Sequence, residues 1–327
     1  MKITVYGAGA WGTALAIAYA PDHDVVMWGR DADALALCER NRVNQALLPD
    51  RPFPAALRLE ADLAKAAAHA ELHLIVTPVA GLRAICEHLA STGNAMPVLW
   101  ACKGFESGTG LLPHEVVADT LGETHPCGAL TGPSFAAEVA AGQPTAITLA
   151  ARDLAQATLW ADALHRPRLR LYANDDLIGA EIGGAIKNVM AIAAGVSDGL
   201  GFGLNSRAAL VTRGLAEISR LGLALGARQE TFMGLAGLGD LVLTCTGDLS
   251  RNRRVGLMLA EGKPLAQILK ELGHVAEGVL TTRETVARAQ RHAVDMPLAQ
   301  AVDDLLSGRM SAAEAVNDLL ARSPKIE

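Results

Sequence analysis

The chain has 327 residues, half of them apolar and 20% charged, with a net charge of −6 at pH 7. That length suits two domains with large cores, and the composition excludes a disordered chain. The acidic balance and an aromatic content of 4% argue against a nucleic-acid or acidic-membrane binder, so any anion site has to be a local cluster of cations.

In chain order, KITVYG (2–7) reads as a strand and 10–20 as a helix, followed by a strand at 24–29 and a helix at 31–42. LHLIVTP (72–78) is a strand closed by proline; helix 80–90 and a strand at 96–102 follow. Helix 112–121, strands 127–132 and 145–150, helix 153–164 and a strand near 168–172 complete this half. Short apolar strands alternating with helices predict a parallel sheet buried on both faces, that is, a Rossmann-type doubly wound α/β domain over 1–175. From about 175 the strand signals cease. Helices are expected at 175–197, 205–225, 229–243 in pieces, 250–261, 264–271, 279–291, 297–306 and 311–322, making 176–327 an all-α domain. The proline-rich stretch 48–57 reads as a surface loop. No apolar run approaches the ~18 residues of an integral membrane segment, and no basic-then-apolar leader opens the chain. Five scattered cysteines with no Cys-x-x-Cys pair predict reduced, buried thiols in a cytoplasmic protein and no metal centre.

GAGAWG places Gly7, Gly9 and Gly12 in G-x-G-x-x-G spacing, after a strand and at the opening of a helix. In that context Gly7 permits the tight turn, Gly9 lets a pyrophosphate approach the backbone, and Gly12 lets the helix pack on the strand. The helix N-terminus then offers amides and a positive dipole end to the phosphates. After the second strand, Arg30 precedes Asp31. A guanidinium there suits the 2′-phosphate of NADP, which leans the reading to NADPH with NADH also accepted; a solvated loop charge is the alternative.

GDLSRNRR (247–254) gathers Arg251, Arg253 and Arg254 behind Ser250, a good N-cap. Arginine forks at a helix N-terminus form a receptor for a small phosphorylated ligand. Just before it, Asp240 sits among Gly, Leu, Val and Cys, where a carboxylate needs a cation or hydrogen bonds. Lys103, and Gly132 with Ser134, follow predicted strands, at the strand ends where open α/β sheets bind ligands.

GAEIGGAIKNVMAIAAG (179–195) carries a lone cation, Lys187. On a helical wheel, Ile178, Ile182, Ala185, Ile186, Val189 and Ala193 form one apolar stripe, and Lys187 lies nearly opposite it among Ala180, Gly183, Gly184, Ala191 and Ala194. Glycines inside a helix cost ~1 kcal/mol each relative to alanine, so something must approach this face closely. The reading is that Lys187 projects from a bare backbone patch toward the other domain or a ligand, where it can act as an acid or base; helix packing around a snorkelling lysine is the alternative.

These segments, with WACKGFE (100–106), GPSFAAEVAAGQPTAI (132–147), the block 183–217, the block 232–254 and EG (277–278), resemble the bacterial NAD(P)-dependent glycerol-3-phosphate dehydrogenases along nearly the whole chain. Other two-domain dehydrogenases, such as β-hydroxyacid dehydrogenases, share only the fingerprint. The resemblance implies reversible reduction of dihydroxyacetone phosphate to sn-glycerol 3-phosphate, a phospholipid precursor, with a homodimer as the expected assembly. It implies Lys187 as the proton donor or acceptor. It further implies substrate contacts from Lys103, Gly132, Ser134, Asp240, Ser250, Arg251 and Asn252. Cofactor contacts are implied from Gly7, Gly9, Ala10, Trp11, Gly12, Arg30, Lys103, Ala136, Arg251, Val275 and Glu277. Ala10 departs from the serine common in the family, and position 30 varies among its members.

Overall fold

In the computed structural model, which describes residues 1–273 and 276–321, the chain forms two units, Met1–Glu106 with Leu111–Leu177 and Ser107–Gly110 with Ile178–Glu327. The first holds β1 (Lys2–Tyr6), β2 (Asp24–Trp28), β3 (Arg58–Glu60), β4 (Leu72–Ile75), β5 (Val98–Trp100), β6 (Cys127–Thr131), β7 (Thr145–Ala151) and β8 (Leu169–Asn174). Its helices are α1 (Ala10–Tyr19), α2 (Ala32–Asn41), α3 (Leu63–His69), α4 (Leu82–Ser91), α5 (Pro113–Leu121), α6 (Ala136–Ala140) and α7 (Leu154–Leu164). The strands form one sheet in the order β3-β2-β1-β4-β5-β6-β7-β8. The doubly wound α/β unit is thus as the apolar strands imply. Ile3, Val5, Leu15, Leu74, Leu99 and Leu149 are fully buried within it, as strands covered on both faces require.

Two features depart from the expectation of an all-parallel sheet. β7 pairs antiparallel with β6, while β8 pairs parallel with β7, so the last two strands run against the first six. A parallel return needs a crossover long enough to pass a helix over the sheet. Residues 132–144 hold only the five-residue α6, whose Val139 packs with Ala14 of α1, and the chain doubles back. β3 is also additional, too short at three residues to register as a strand pattern. Within the proline-rich stretch, Leu48, Phe53 and Leu57 are buried, so this loop is pinned rather than merely superficial.

His73 of β4 is fully buried. Its Nδ1 lies 2.7 Å from the Tyr6 hydroxyl and its Nε2 lies 3.1 Å from Asn94 Oδ1. Those partners suit a neutral ring that accepts from the phenol and donates to the amide oxygen. Burial pushes its pKa down to about 4 from 6.5. Between those values the unfolded chain binds a proton that the folded chain refuses, so stability falls as pH drops from 6.5 towards 4. The full loss is about 3 kcal/mol. Urea titrations should show the stability deficit of His73→Asn relative to wild type shrinking by about 2 kcal/mol between pH 7 and pH 4.5.

The second unit is helical, as expected: α8 (Leu177–Gly199), α9 (Gly203–Ala224), α10 (Gln229–Phe232), α11 (Asp240–Thr246), α12 (Arg251–Ala260), α13 (Leu265–Leu272), α14 (Glu277–Arg291), α15 (Pro297–Leu306) and α16 (Ala312–Ala321). A π turn, Leu235–Gly239, leads into α11. Glu217 of α9, 2% exposed, accepts from the backbone amides of Leu298 (2.7 Å) and Ala299 (3.2 Å) and so fastens the start of α15. Burial raises its carboxyl to about 7. That group favours the folded state at low pH, opposite in sign to His73, and cancels in a comparison of wild type with His73→Asn.

α8 is long and apolar enough to span a bilayer by length and composition, contrary to the sequence reading, but 89% of its apolar window is buried inside the fold. Ile182, Ile186 and Val189 are buried, and so are Ala180, Ala191 and Ala194 on the opposite face. The glycines explain how both sides can be covered. A Cβ on Gly183 would lie 2.4 Å from the carbonyl oxygen of Ala236 in the π turn. One on Gly195 would lie 2.0 Å from that of Arg253, so α12 also meets the backbone of α8 directly. The bare patch is therefore filled by the unit's own backbone.

Candidate active site

The fingerprint turn shows the two steric features its spacing implies, a tight turn at Gly7 and close helix packing at Gly12, and it leaves open space at Gly9. Gly7 has φ +118°, a conformation that favours glycine, and a Cβ there would press within 2.9 Å of the Val76 carbonyl oxygen. A Cβ on Gly12 would stand 1.8 Å from the carbonyl oxygen of Gly7, so α1 rests on the turn itself. Gly9 has no atom within 4 Å of the place its Cβ would take. It is also the N-cap of α1, with no side chain capping the first turn. An open space beside a helix N-terminus fits a dinucleotide pyrophosphate. Ala10 and Trp11 follow at the start of α1, partly buried. Asn44, 4% exposed, braces this turn by donating to the Ala8 carbonyl (3.1 Å) and the Thr13 hydroxyl (3.0 Å). Sequence reading missed it, since its partners lie more than thirty positions away.

Arg30 is exposed at the end of β2. Asp31 caps α2, accepting from the Ala34 amide at 2.9 Å, so its carboxylate has a structural task. At the ends of β5 and β6, Lys103, Gly132 and Ser134 come together. The Gly132 carbonyl accepts from Lys103 Nζ at 3.5 Å and from Ser134 Oγ at 3.0 Å. Gly132 has φ +131° and lies against Ile147. Ala136, partly buried, opens α6 just beyond.

In the helical unit, Lys187 and Asp240 meet. Lys187 is 7% exposed, Asp240 1%, and the Lys187 ammonium donates to Asp240 Oδ1. The π turn brings this about, because packing its backbone on Gly183 sets Asp240, the first residue of α11, beside the next turn of α8. Thr244, one turn on, donates to the Asp240 carbonyl at 2.6 Å and lies 3.5 Å from its Oδ1. Cys245 is wholly buried, and burial pushes its thiol up to about 12, leaving it neutral.

The neighbour of Lys187 extends the site. Asn188, 4% exposed, accepts through Oδ1 from Asn252 Nδ2 at 2.9 Å, and Asn252 Oδ1 accepts from the Gly278 amide at 3.0 Å. One buried amide thus joins α8, the first turn of α12 and the first turn of α14. Asn188 was missed; an asparagine beside the lysine in an apolar helix was the available signal. Ser250 caps α12, its hydroxyl accepting from the Arg253 amide at 3.2 Å. Arg251 is exposed in that first turn, and Glu277, partly buried, opens α14. Arg253 leaves the expected phosphate cluster: it pairs with Asp198 at 2.7 Å and Asp248 at 3.0 Å. Val275 lies outside the described residues. Among the described residues no group of three or more His, Cys, Asp or Glu could hold a metal.

Known proteins align with this arrangement from end to end. Residues 2–157 match the NAD-dependent glycerol-3-phosphate dehydrogenase N-terminus model and residues 176–317 the C-terminus model. A glycerol-3-phosphate dehydrogenase (NAD(P)+) of Aromatoleum aromaticum is 65% identical over 328 residues, covering 100% of both chains. One of Dechloromonas aromatica is 60% identical, covering 100% of this chain and 99% of its own. The crystal structure of glycerol-3-phosphate dehydrogenase from Coxiella burnetii superposes with a TM-score of 0.94 at 42% identity, covering 98% of each chain. D-mandelate dehydrogenase, at 14% identity and a TM-score of 0.63, shares the fold alone. The chain belongs to the NAD-dependent glycerol-3-phosphate dehydrogenase family.

Proposed function

We infer that the protein is an NAD(P)-dependent glycerol-3-phosphate dehydrogenase. It interconverts dihydroxyacetone phosphate and sn-glycerol 3-phosphate, and the product serves glycerophospholipid synthesis. The observation that carries the chemistry is the buried Lys187–Asp240 pair, tied through Asn188 and Asn252 to an arginine-bearing helix start.

In this reading the bound NAD(P)H supplies the hydride. The first turn of α1, with Gly7, Gly9, Ala10, Trp11 and Gly12, would hold the pyrophosphate, and Arg30, Ala136 and Glu277 would contact the cofactor elsewhere. Arg251 and Asn252, at the amide-rich start of α12, hold the substrate phosphate. The Lys187 ammonium faces the carbonyl oxygen, stabilises the alkoxide that develops there and gives it a proton. Asp240 keeps that ammonium charged and aimed in a site from which water is excluded. Lys103, Gly132 and Ser134 line the substrate from the sheet unit. Arg30, exposed where a 2′-phosphate would lie, favours NADPH over NADH. The buried cysteines, none in a disulfide among the described residues, support a cytoplasmic enzyme.

The test is a spectrophotometric assay of NADPH and NADH oxidation with dihydroxyacetone phosphate and with plain dihydroxyacetone. The phosphorylated ketone should be preferred at least 10²-fold in kcat/KM, since a phosphate held by Arg and backbone amides contributes several kcal/mol. Equal use of both ketones would remove the phosphate site from the account.

A further inference from the structure

We infer that Asp198 is a positioning residue: acting through Arg253, it fixes the first turn of α12 and so the place of Arg251 and Asn252 relative to Lys187. The inference rests on the dehydrogenase reading above.

Asp198 lies in the last turn of α8, with its side chain 6% exposed. A buried carboxylate is costly, and at a helix C-terminus it also opposes the helix dipole. Two arginines compensate it. Arg253 Nε donates to Oδ2 at 2.7 Å, and Arg207 of α9 reaches Oδ1 at 2.8 Å. Arg253 is misplaced in the same way, a cation in the first turn of α12. Neither charge suits its own helix; each is accounted for by the other. Its second partner, Asp248, is 97% exposed and adds little.

The packing explains what such a pair is for. α8 and α12 touch along backbone. A Cβ on Gly256 would lie 2.1 Å from the Ile192 carbonyl oxygen, one on Gly195 2.0 Å from the Arg253 carbonyl oxygen, and one on Gly199 2.5 Å from Ala260. Glycine faces allow close approach, but they carry no side chains to key one helix against sliding or turning on the other. Two polar ties anchor this smooth contact, both from the first turn of α12: Asn252 reaches Asn188, and the adjacent Arg253 reaches Asp198, ten residues further along α8. Lys187 is next to the first tie on α8, and Arg251 is two residues before Arg253 on α12. The spacing between proton donor and phosphate receptor is therefore set by this register, which makes the Asp198–Arg253 pair a determinant of substrate selection.

The test compares Asp198→Asn, Arg253→Met, Arg253→Lys and Arg207→Met with wild type, each checked for folding by circular dichroism. In Asp198→Asn and Arg253→Met, KM for dihydroxyacetone phosphate should rise at least tenfold, with a matching rise in the inhibition constant of inorganic phosphate. The kcat/KM for unphosphorylated dihydroxyacetone and KM for NADPH should stay within twofold. Arg253→Lys should recover part of the loss, and Arg207→Met, which removes the other partner of Asp198 but keeps the tie to α12, should raise KM for dihydroxyacetone phosphate less than Arg253→Met does. Equal losses on both ketones, or an unaltered KM for the phosphorylated one in a folded variant, would overturn the inference. If Asp198→Asn does not fold, the Arg253→Lys and Arg253→Met pair decides. A wild-type enzyme inactive on dihydroxyacetone phosphate would instead overturn the dehydrogenase reading.

Discussion

Lys187→Ala should lower kcat/KM for dihydroxyacetone phosphate by about 10³-fold, roughly 4 kcal/mol of transition-state stabilisation. The amine is 7% exposed and lies against a carboxylate that is 1% exposed, so bulk water is poorly placed to deliver the proton in its stead. The same change strands Asp240 as an uncompensated buried charge, which costs about 3–5 kcal/mol of stability. The two effects separate in the double variant Lys187→Met with Asp240→Asn. Its thermal midpoint should recover much of the loss, because the stranded carboxylate is gone, while its kcat/KM should remain as low as that of Lys187→Ala. Recovery of activity along with stability would refute the acid role and leave the pair purely structural.

At the fingerprint, Gly9→Ala and Gly12→Ala should fail in different ways. A methyl on Gly9 meets no protein atom within 4 Å and occupies the space assigned to the pyrophosphate. The variant should keep its thermal midpoint within about 1 °C of wild type, a surface change without strain, while KM for NADPH rises at least tenfold. A methyl on Gly12 would stand 1.8 Å from a backbone oxygen that cannot swing aside. α1 must then lift from β1, and the variant should lose about 2–4 kcal/mol of stability together with cofactor affinity. Thermal unfolding and initial-rate kinetics on the two proteins read both quantities. If Gly9→Ala bound NADPH normally, the pyrophosphate would have to lie elsewhere.

What the sequence disclosed, and what it withheld, follows the range of each interaction. The tight turn at Gly7 and the packing of Gly12 on it are local backbone requirements, visible in six residues. The second-half helices were legible because their apolar periods and caps are local too, Ser250 before α12 among them. The direction of β7 was not, since strand pattern is blind to polarity and only the short connection through α6 decides it. Arg253 looked equivalent to Arg251 in SRNRR, but two residues turn a helix by about 200°, which sends one arginine to Asp198 and leaves the other exposed. The oddity of Lys187 among glycines was plain. Its partners were not, because Asp240 lies fifty-three positions away and approaches through a π turn.

The enclosure of α8 bears on how the barrier to reaction is lowered. A helix covered on every face, and met at Gly183 and Gly195 by backbone, cannot swing its lysine on ligand arrival without disrupting the core. The orientation of the ammonium is then a property of the folded ground state. With Lys187 as the acid proposed above, little reorganisation energy would remain to be supplied as the alkoxide forms, and folding itself would have performed the preorganisation on which electrostatic catalysis depends.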